Sequence, residues 1–322
     1  MLDVTNTVSI GDARAVAAAA ERILARCFGA GSFDRELLHA GFDLVARVFA
    51  GEHPGYLACD MPYHDLRHSL DTALVMARLI DGCQREPGGP AVALTAEHGL
   101  LGVLLGLLHD TGFIRTTAES ALCGPQLMAQ HEFRSVEFAG RYLRATALAP
   151  HAPLATLILA TRLGAHLDEL FAGLDDRAVA LGEMLGTADL VSQISDRCYP
   201  ERCCYHLYPE LKLGGRDRVR AADGQVQLLY LDGLDLLRKT PGFCEHVLGG
   251  RLARDLQGRV RHLAAHHGGA DPYAEAIRRN LDRIDRMVAE ARFDLLRDEP
   301  ATTTRNLAAI YRARPPGTAP CN

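Results

Sequence analysis

From Gly99 to Leu108 the chain reads GLLGVLLGLL, apolar without interruption, and it ends abruptly in His109-Asp110. A helix with no polar face has to be enclosed by other elements, so this stretch sets the centre of the molecule. Ten residues fall far short of the ~20 needed to span a bilayer, which leaves a protein interior as its place. The two ionisable groups at its end are then buried with it, and buried charge requires a partner.

The spacing of apolar residues predicts helices through most of the chain. The first covers Ala15–Phe28, with Asp12 as N-cap, and the second Leu37–Phe49, stopped by Gly51 and Pro54. The third is Leu66–Ile80, broken by Gly82 and the Pro87-Gly88-Gly89-Pro90 loop, and the fourth is Ala93–His109. Further helices are expected at Gln126–Ala147, Leu154–Leu163, Arg177–Ser195, Val226–Lys239 and Tyr273–Phe293. No alternating run is long enough to support a sheet, and no repeat or low-complexity segment interrupts the pattern. The Gly-Gly pairs at 214–215, 249–250 and 268–269 punctuate helices rather than separate domains. The expected fold is all-α, a single helical domain over residues 1–322. Its N-terminal helices occupy 1–55 and a C-terminal extension 294–322.

The 322 residues are 48% hydrophobic and 23% charged, enough to build a full core. A formal net charge of -5 argues against a nucleic-acid coat or a polybasic membrane binder. The local cluster Arg251, Arg254, Arg259 and Arg261 reads as a solvated helix face. Tryptophan is absent, so stacking platforms for single-stranded nucleic acid are not expected. There is no GxxxxGK[ST] loop, no GxGxxG between strand and helix, and no GxSxG elbow. Nine cysteines, an odd number without a CxxC pair, read as reduced thiols, with Cys203 and Cys204 placed on a buried helix. No basic segment followed by an apolar one opens the chain, so the expectation is a soluble cytoplasmic protein.

Most of the 14 histidines lack a usable spacing. Two places differ. In Tyr63-His64-Asp65-Leu66-Arg67-His68-Ser69-Leu70-Asp71, a helix from about His64 sets His64, His68 and Asp71 on one face over successive turns. The second place is the His109-Asp110 doublet, where both groups can turn onto one ion and a divalent cation offsets their burial. Asp189, in Gly186-Thr187-Ala188-Asp189-Leu190, is a third carboxylate set in an apolar helix. Imidazole nitrogen with carboxylate oxygen suits Zn, Fe, Mn or a mixed pair rather than Ca.

The ordered set His64, His68, His109-Asp110 and Asp189 resembles the HD-domain metal-dependent phosphohydrolase superfamily. Within it, YHDLRHSLDTAL is similar to the YHNxxHAxDV segment of class I cyclic nucleotide phosphodiesterases. HDTGFIR, HEFRSVEF, LGTADLVSQISDRCYPE and DPYAEAIRRNLDRI look like a bacterial branch of HD proteins related to those enzymes. The similarity runs over about 62–284 and implies a helical bundle with a central metal site. It makes His68, His109, Asp110 and Asp189 ligands of a first metal, with Asp110 bridging to a second. His64 becomes the general acid and Asp71 orients a ligand histidine. Asp65 replaces the family's asparagine, adding negative charge near the site. Its effect is either to tighten the second metal or to discourage an anionic substrate. His131 matches a second-metal histidine, whereas the next expected histidine is replaced in Leu159-Ala160-Thr161-Arg162 and His166 comes five residues late.

The implied chemistry is hydrolysis of a cyclic nucleotide or similar small phosphodiester by a metal-bridging hydroxide, with His64 protonating the leaving oxygen. The implied cofactors are two divalent ions, Zn, Fe or Mn in the first site and Mg, Mn or Fe in the second. Alternatives are a nucleoside monophosphate phosphohydrolase, an HD-type di-iron oxygenase and a non-catalytic HD module. The purine-holding glutamine of class I enzymes has no counterpart. Gln225 and Gln227 lie upstream of its place, and Phe243 is only a loose match for a stacking clamp. The expected partner is a small phosphoester, a nucleotide above all, with neither membrane nor nucleic-acid duplex; a homodimer is left open.

Overall fold

A computed structural model describes residues 1–86, 89–90, 92–221 and 224–304. The Pro87-Gly88 part of the expected loop and most of the C-terminal extension lie outside the described residues. The first four helices are α1 (Ala13–Phe28), α2 (Arg35–Ala50), α3 (Leu66–Gln84) and α4 (Ala96–Leu108). They are followed by α5 (His131–Arg144), the single turn α6 (Leu167–Leu170), α7 (Asp176–Ile194) and α8 (Tyr199–Arg202). Then come α9 (Tyr208–Leu213), α10 (Gly233–His246), α11 (Arg261–His266) and α12 (Pro272–Ala289). One antiparallel hairpin, β1 (Arg218–Arg220) with β2 (Val226–Leu228), projects from this bundle with all its residues exposed.

At the centre lies α3, buried on every side from Arg67 to Cys83, packed against α1, α4, α7 and α11. The all-apolar α4 crosses it closely because Gly106 carries no side chain. A Cβ there would come within 3.3 Å of the Ala73 Cα and 3.4 Å of the Thr72 carbonyl oxygen. Asp65, Thr95 and Asp175 cap α3, α4 and α7, each accepting from a backbone N–H in the first turn. These three helices bring His68, His109-Asp110 and Asp189 towards one another.

Several expected helices differ in extent for identifiable reasons. The stretch expected at Gln126–Ala147 divides into a 3-10 turn, Gly124–Leu127, started by Pro125, and α5. In place of Leu154–Leu163 stands a 3-10 helix over Ala149–Thr161, where Pro153 removes an N–H that an α-helix needs. Val226 begins not a helix but β2; α10 starts at Gly233, where Asp232 accepts from the Asp235 N–H at 2.7 Å. The arginine cluster is not one solvated face. Arg251 is buried and donates to the carbonyls of Ala160, Arg162 and Ala165, and Arg259 pairs with Glu183 at 2.6 Å. Cys203 is buried and Cys204 half-buried in a π turn, Cys203–Leu207, that leads directly into α9.

Candidate metal centre

His68 sits in the first turn of α3, and His109 and Asp110 follow the last residue of α4. Their Nε2 atoms lie 3.2 Å apart. Asp110 Oδ2 is 3.4 Å from His68 Nε2 and 3.3 Å from His109 Nε2. From α7, Asp189 Oδ1 reaches His68 Nε2 at 3.1 Å and His109 Nε2 at 3.5 Å. All four groups are buried, and His68, His109 and Asp110 form a cluster able to hold a metal ion.

The hydrogen bonds decide what these atoms present to one another. His109 Nδ1 donates to the Gly106 carbonyl at 2.8 Å, which leaves its Nε2 as the ligating atom. Asp110 Oδ2 is buried and has no hydrogen-bond partner. Converging donor atoms and a buried carboxylate oxygen without a hydrogen bond are what a divalent cation satisfies, so the donor set fits a divalent metal. Within the cluster the histidines and carboxylates offset one another's charge. Burial alone would raise both carboxyls, but the surrounding histidines hold Asp110 and Asp189 well below the usual carboxylate range. Burial likewise opposes charge on His109, and Asp110 and Asp189 outweigh it, lifting that imidazole well above its ordinary value.

The other oxygen of Asp110 points to a different neighbour. Oδ1 lies 3.8 Å from Nε2 of His131, the first residue of α5. The His131 Nδ1 donates to the Met128 carbonyl at 2.8 Å, so this Nε2 is also free to ligate. Burial pushes the His131 pKa down, favouring the neutral imidazole that metals take. The short turn Thr111–Phe113 ties the two segments. Gly112 N–H donates to Ser135 Oγ at 2.8 Å, Arg134 Nε donates to the Gly112 carbonyl at 2.7 Å, and Phe113 stacks on His131 with ring centroids 4.0 Å apart.

His64 stands beside this centre rather than in it, its ring 5.8 Å from that of His68 and stacked on Phe113 at 4.9 Å. Its Nδ1 meets Glu210 Oε2 at 2.6 Å, while Glu210 Oε1 accepts from the backbone N–H of Tyr63 at 2.6 Å and of His64 at 3.1 Å. Burial lowers the His64 pKa, but Glu210 more than reverses this, and the ring titrates at about 9. Sequence reading missed Glu210, which lies 146 residues beyond His64 with no motif around it. It also missed Gln193, whose amide donates to Asp189 Oδ1 at 2.6 Å; its i+4 spacing from Asp189 was the available signal.

The remaining candidates lie outside the ligand cluster. Asp65 does not direct its charge at the metal centre. It caps α3 through the His68 N–H, accepts from Thr302 Oγ1 and the Thr303 N–H at 2.9 Å each, and lies 3.6 Å from Arg202. Asp71 hydrogen-bonds no histidine among the described residues. It shares with His68, Arg67, Gln193 and Asp196 a cavity of about 10 Å³, the size of one water. Burial and then Asp196 raise its pKa to about 7. His166 is exposed and is not among the residues of the buried cluster. Gln227 and Phe243 are exposed as well, Gln227 on β2 and Phe243 in α10.

The helical arrangement resembles that of a phosphodiesterase domain. The chain is similar to the phosphodiesterase domain of the RhoPDE fusion protein from the choanoflagellate Salpingoeca rosetta, with a TM-score of 0.55. The match covers 90% of this chain and 95% of that one at 15% identity, a likeness of fold. No protein-family model matches the sequence, and no curated protein does.

Proposed function

We propose that this chain is a metal-dependent phosphohydrolase of the HD type, hydrolysing a cyclic nucleotide or a similar small phosphodiester. The observation that carries the proposal is the convergence of His68 Nε2, His109 Nε2, Asp110 Oδ2 and Asp189 Oδ1 on one point, with a carboxylate-held histidine alongside. The shared fold with a phosphodiesterase domain supports the same reading.

In this reading His68, His109, Asp110 and Asp189 would hold one ion, and Asp110 with His131 would contribute to a second. Two divalent cations, when bound, supply neutralisation of the phosphoryl oxygens and a water acidic enough to be a nucleophile at neutral pH. Glu210 fixes the His64 ring by its Nδ1–H, so Nε2 is the atom that carries a proton to the departing oxygen. Gln193 holds the Asp189 carboxylate in place, and the water-sized cavity between Asp71 and His68 supports orientation of that histidine through a single water. With Asp65 spent on capping and on Arg202, its negative charge does not oppose an anionic substrate. Nucleoside monophosphates come second as substrates.

The test is elemental analysis of the purified protein together with a screen of cyclic and linear phosphoesters. Turnover of at least one phosphodiester, dependent on stoichiometric transition metal, is the expected result. A metal-free protein with full hydrolase activity overturns it.

A further inference from the structure

A second cleft lies at the opposite end of α3 from the metal centre. The N-terminal loop, α1, α3 and the end of α11 enclose it, with a volume of about 380 Å³. Its polar lining is Thr5, Thr7, Arg22, Arg26, Arg78 and the pair His266-His267, with no carboxylate among the lining residues. Arg78 and His68 are ten residues apart on α3, about 15 Å of helical rise, so the cleft is separate from the metal site.

The charge on its walls is only partly matched by the protein. Arg78 pairs with the buried Asp3 at 2.7 Å. Arg26 and His266 both turn to one oxygen of Asp81, at 3.0 Å and 2.7 Å. Arg22 has no ion-pair partner among the described residues and remains a surplus cation at the rim. Two buried atoms of the wall, Arg78 Nε and His267 Nε2, have no hydrogen-bond partner. Arg78 itself is only 4% exposed. A recess whose rim carries the unpaired Arg22 beside Arg26 is attractive to an anion, and arginine forks are matched to phosphate geometry. Beside the cations, Ala19 and Ile23 of α1 and Val8 of the N-terminal loop supply an apolar part of the lining.

We propose that this cleft binds a small organic phosphate, its phosphoryl oxygens held by Arg22 and Arg26 and its carbon skeleton resting on Val8, Ala19 and Ile23. Arg22 and Arg26 stand one turn apart on α1, and two guanidinium forks on one anion suit a doubly charged phosphate. The site stands independently of the reaction assigned to the metal centre.

Calorimetric titration of the full, metal-loaded chain with phenyl phosphate tests this. Saturable binding is expected. Arg22→Ala, which removes an exposed side chain without an ion pair and so leaves the fold intact, should weaken it at least about tenfold. His68→Ala should remove only binding at the metal centre and leave this Arg22-dependent binding unchanged; the comparisons with phenol, which should not bind, and with inorganic phosphate are made in that variant. Inorganic phosphate, lacking a skeleton to lie on the apolar wall, should bind at least about tenfold more weakly. The assignment is overturned if no binding occurs up to about 10 mM phenyl phosphate, well past the millimolar range of weak ligands. It is equally overturned if Arg22→Ala has no effect, if His68→Ala abolishes binding, or if inorganic phosphate binds as tightly.

Discussion

At the scale of single residues, the two roles proposed for histidine separate cleanly by experiment. His68, His109 and Asp110 meet at one point, so replacing any of them by alanine should remove bound metal and activity together. Elemental analysis reads this directly, and full metal with normal turnover in any one variant refutes the ligand set. His64, outside that point and gripped by Glu210, should behave otherwise. His64→Ala should retain its metal and lose roughly 10²–10⁴ in rate, the usual share of general acid catalysis. The loss should be much smaller on a nitrophenyl phosphodiester, whose leaving oxygen needs no proton, and Glu210→Gln should show the same leaving-group pattern in milder form. Equal losses on good and poor leaving groups count against a proton-donor role. Much of this site was legible in sequence. Close spacing put His64 near His68, and the His-Asp doublet at the end of an apolar helix could only be buried. Glu210 was not legible, because its partner is chosen by how α9 packs and nothing local marks it.

At the scale of elements, the Thr111–Phe113 turn decides whether His131 reaches the centre. Gly112 packs so tightly against the start of α5 that a Cβ would meet the His131 carbonyl, and it would lie 2.8 Å from the Ser135 backbone nitrogen. Gly112→Ala must therefore push the first turn of α5 outward and carry His131 away from Asp110. Overpacking of this kind costs about 1–3 kcal/mol, visible in a denaturation curve. The variant should also keep one tightly held ion while needing added Mn²⁺ or Mg²⁺ for activity, as should His131→Ala. Unaltered metal stoichiometry in both variants would leave His131 a helix-terminal histidine and nothing more. The sequence conveyed the existence of α1, α2, α3, α4, α7 and α12, where apolar spacing and capping residues agree. It misjudged the elements whose form depends on proline or on register. Pro153 turned an expected helix into a 3-10 one, and Val226–Leu228 was extended because it pairs with Arg218–Arg220 across a loop.

At the scale of the whole molecule, one buried arginine of α3 joins distant segments of the chain. Arg78 donates to Asp3 and to the Tyr273 hydroxyl, linking the N-terminal loop to α12 through the central helix. No spacing rule foretells such a contact, since its members lie 75 and 195 residues from Arg78. Asp3 gathers further bonds from the backbone N–H groups of Thr5, Thr7 and Val8. Burial would raise its pKa, but Arg78 and these donors prevail and lower it from 3.8 to about 2. A carboxyl depressed on folding stabilises the native state above its unfolded pKa, and that stability disappears as pH falls through the folded value. The shift of nearly two pKa steps corresponds to about 2 kcal/mol. Comparing the chain with Asp3→Asn, which keeps the shape and loses the charge, isolates this contribution. The stability difference in urea should be near its full value at pH 6, shrink between about pH 4 and pH 2, and approach zero below that. A difference that stays constant across this range would mean that Asp3 holds the N-terminal loop by shape and hydrogen bonds alone, with its charge contributing nothing.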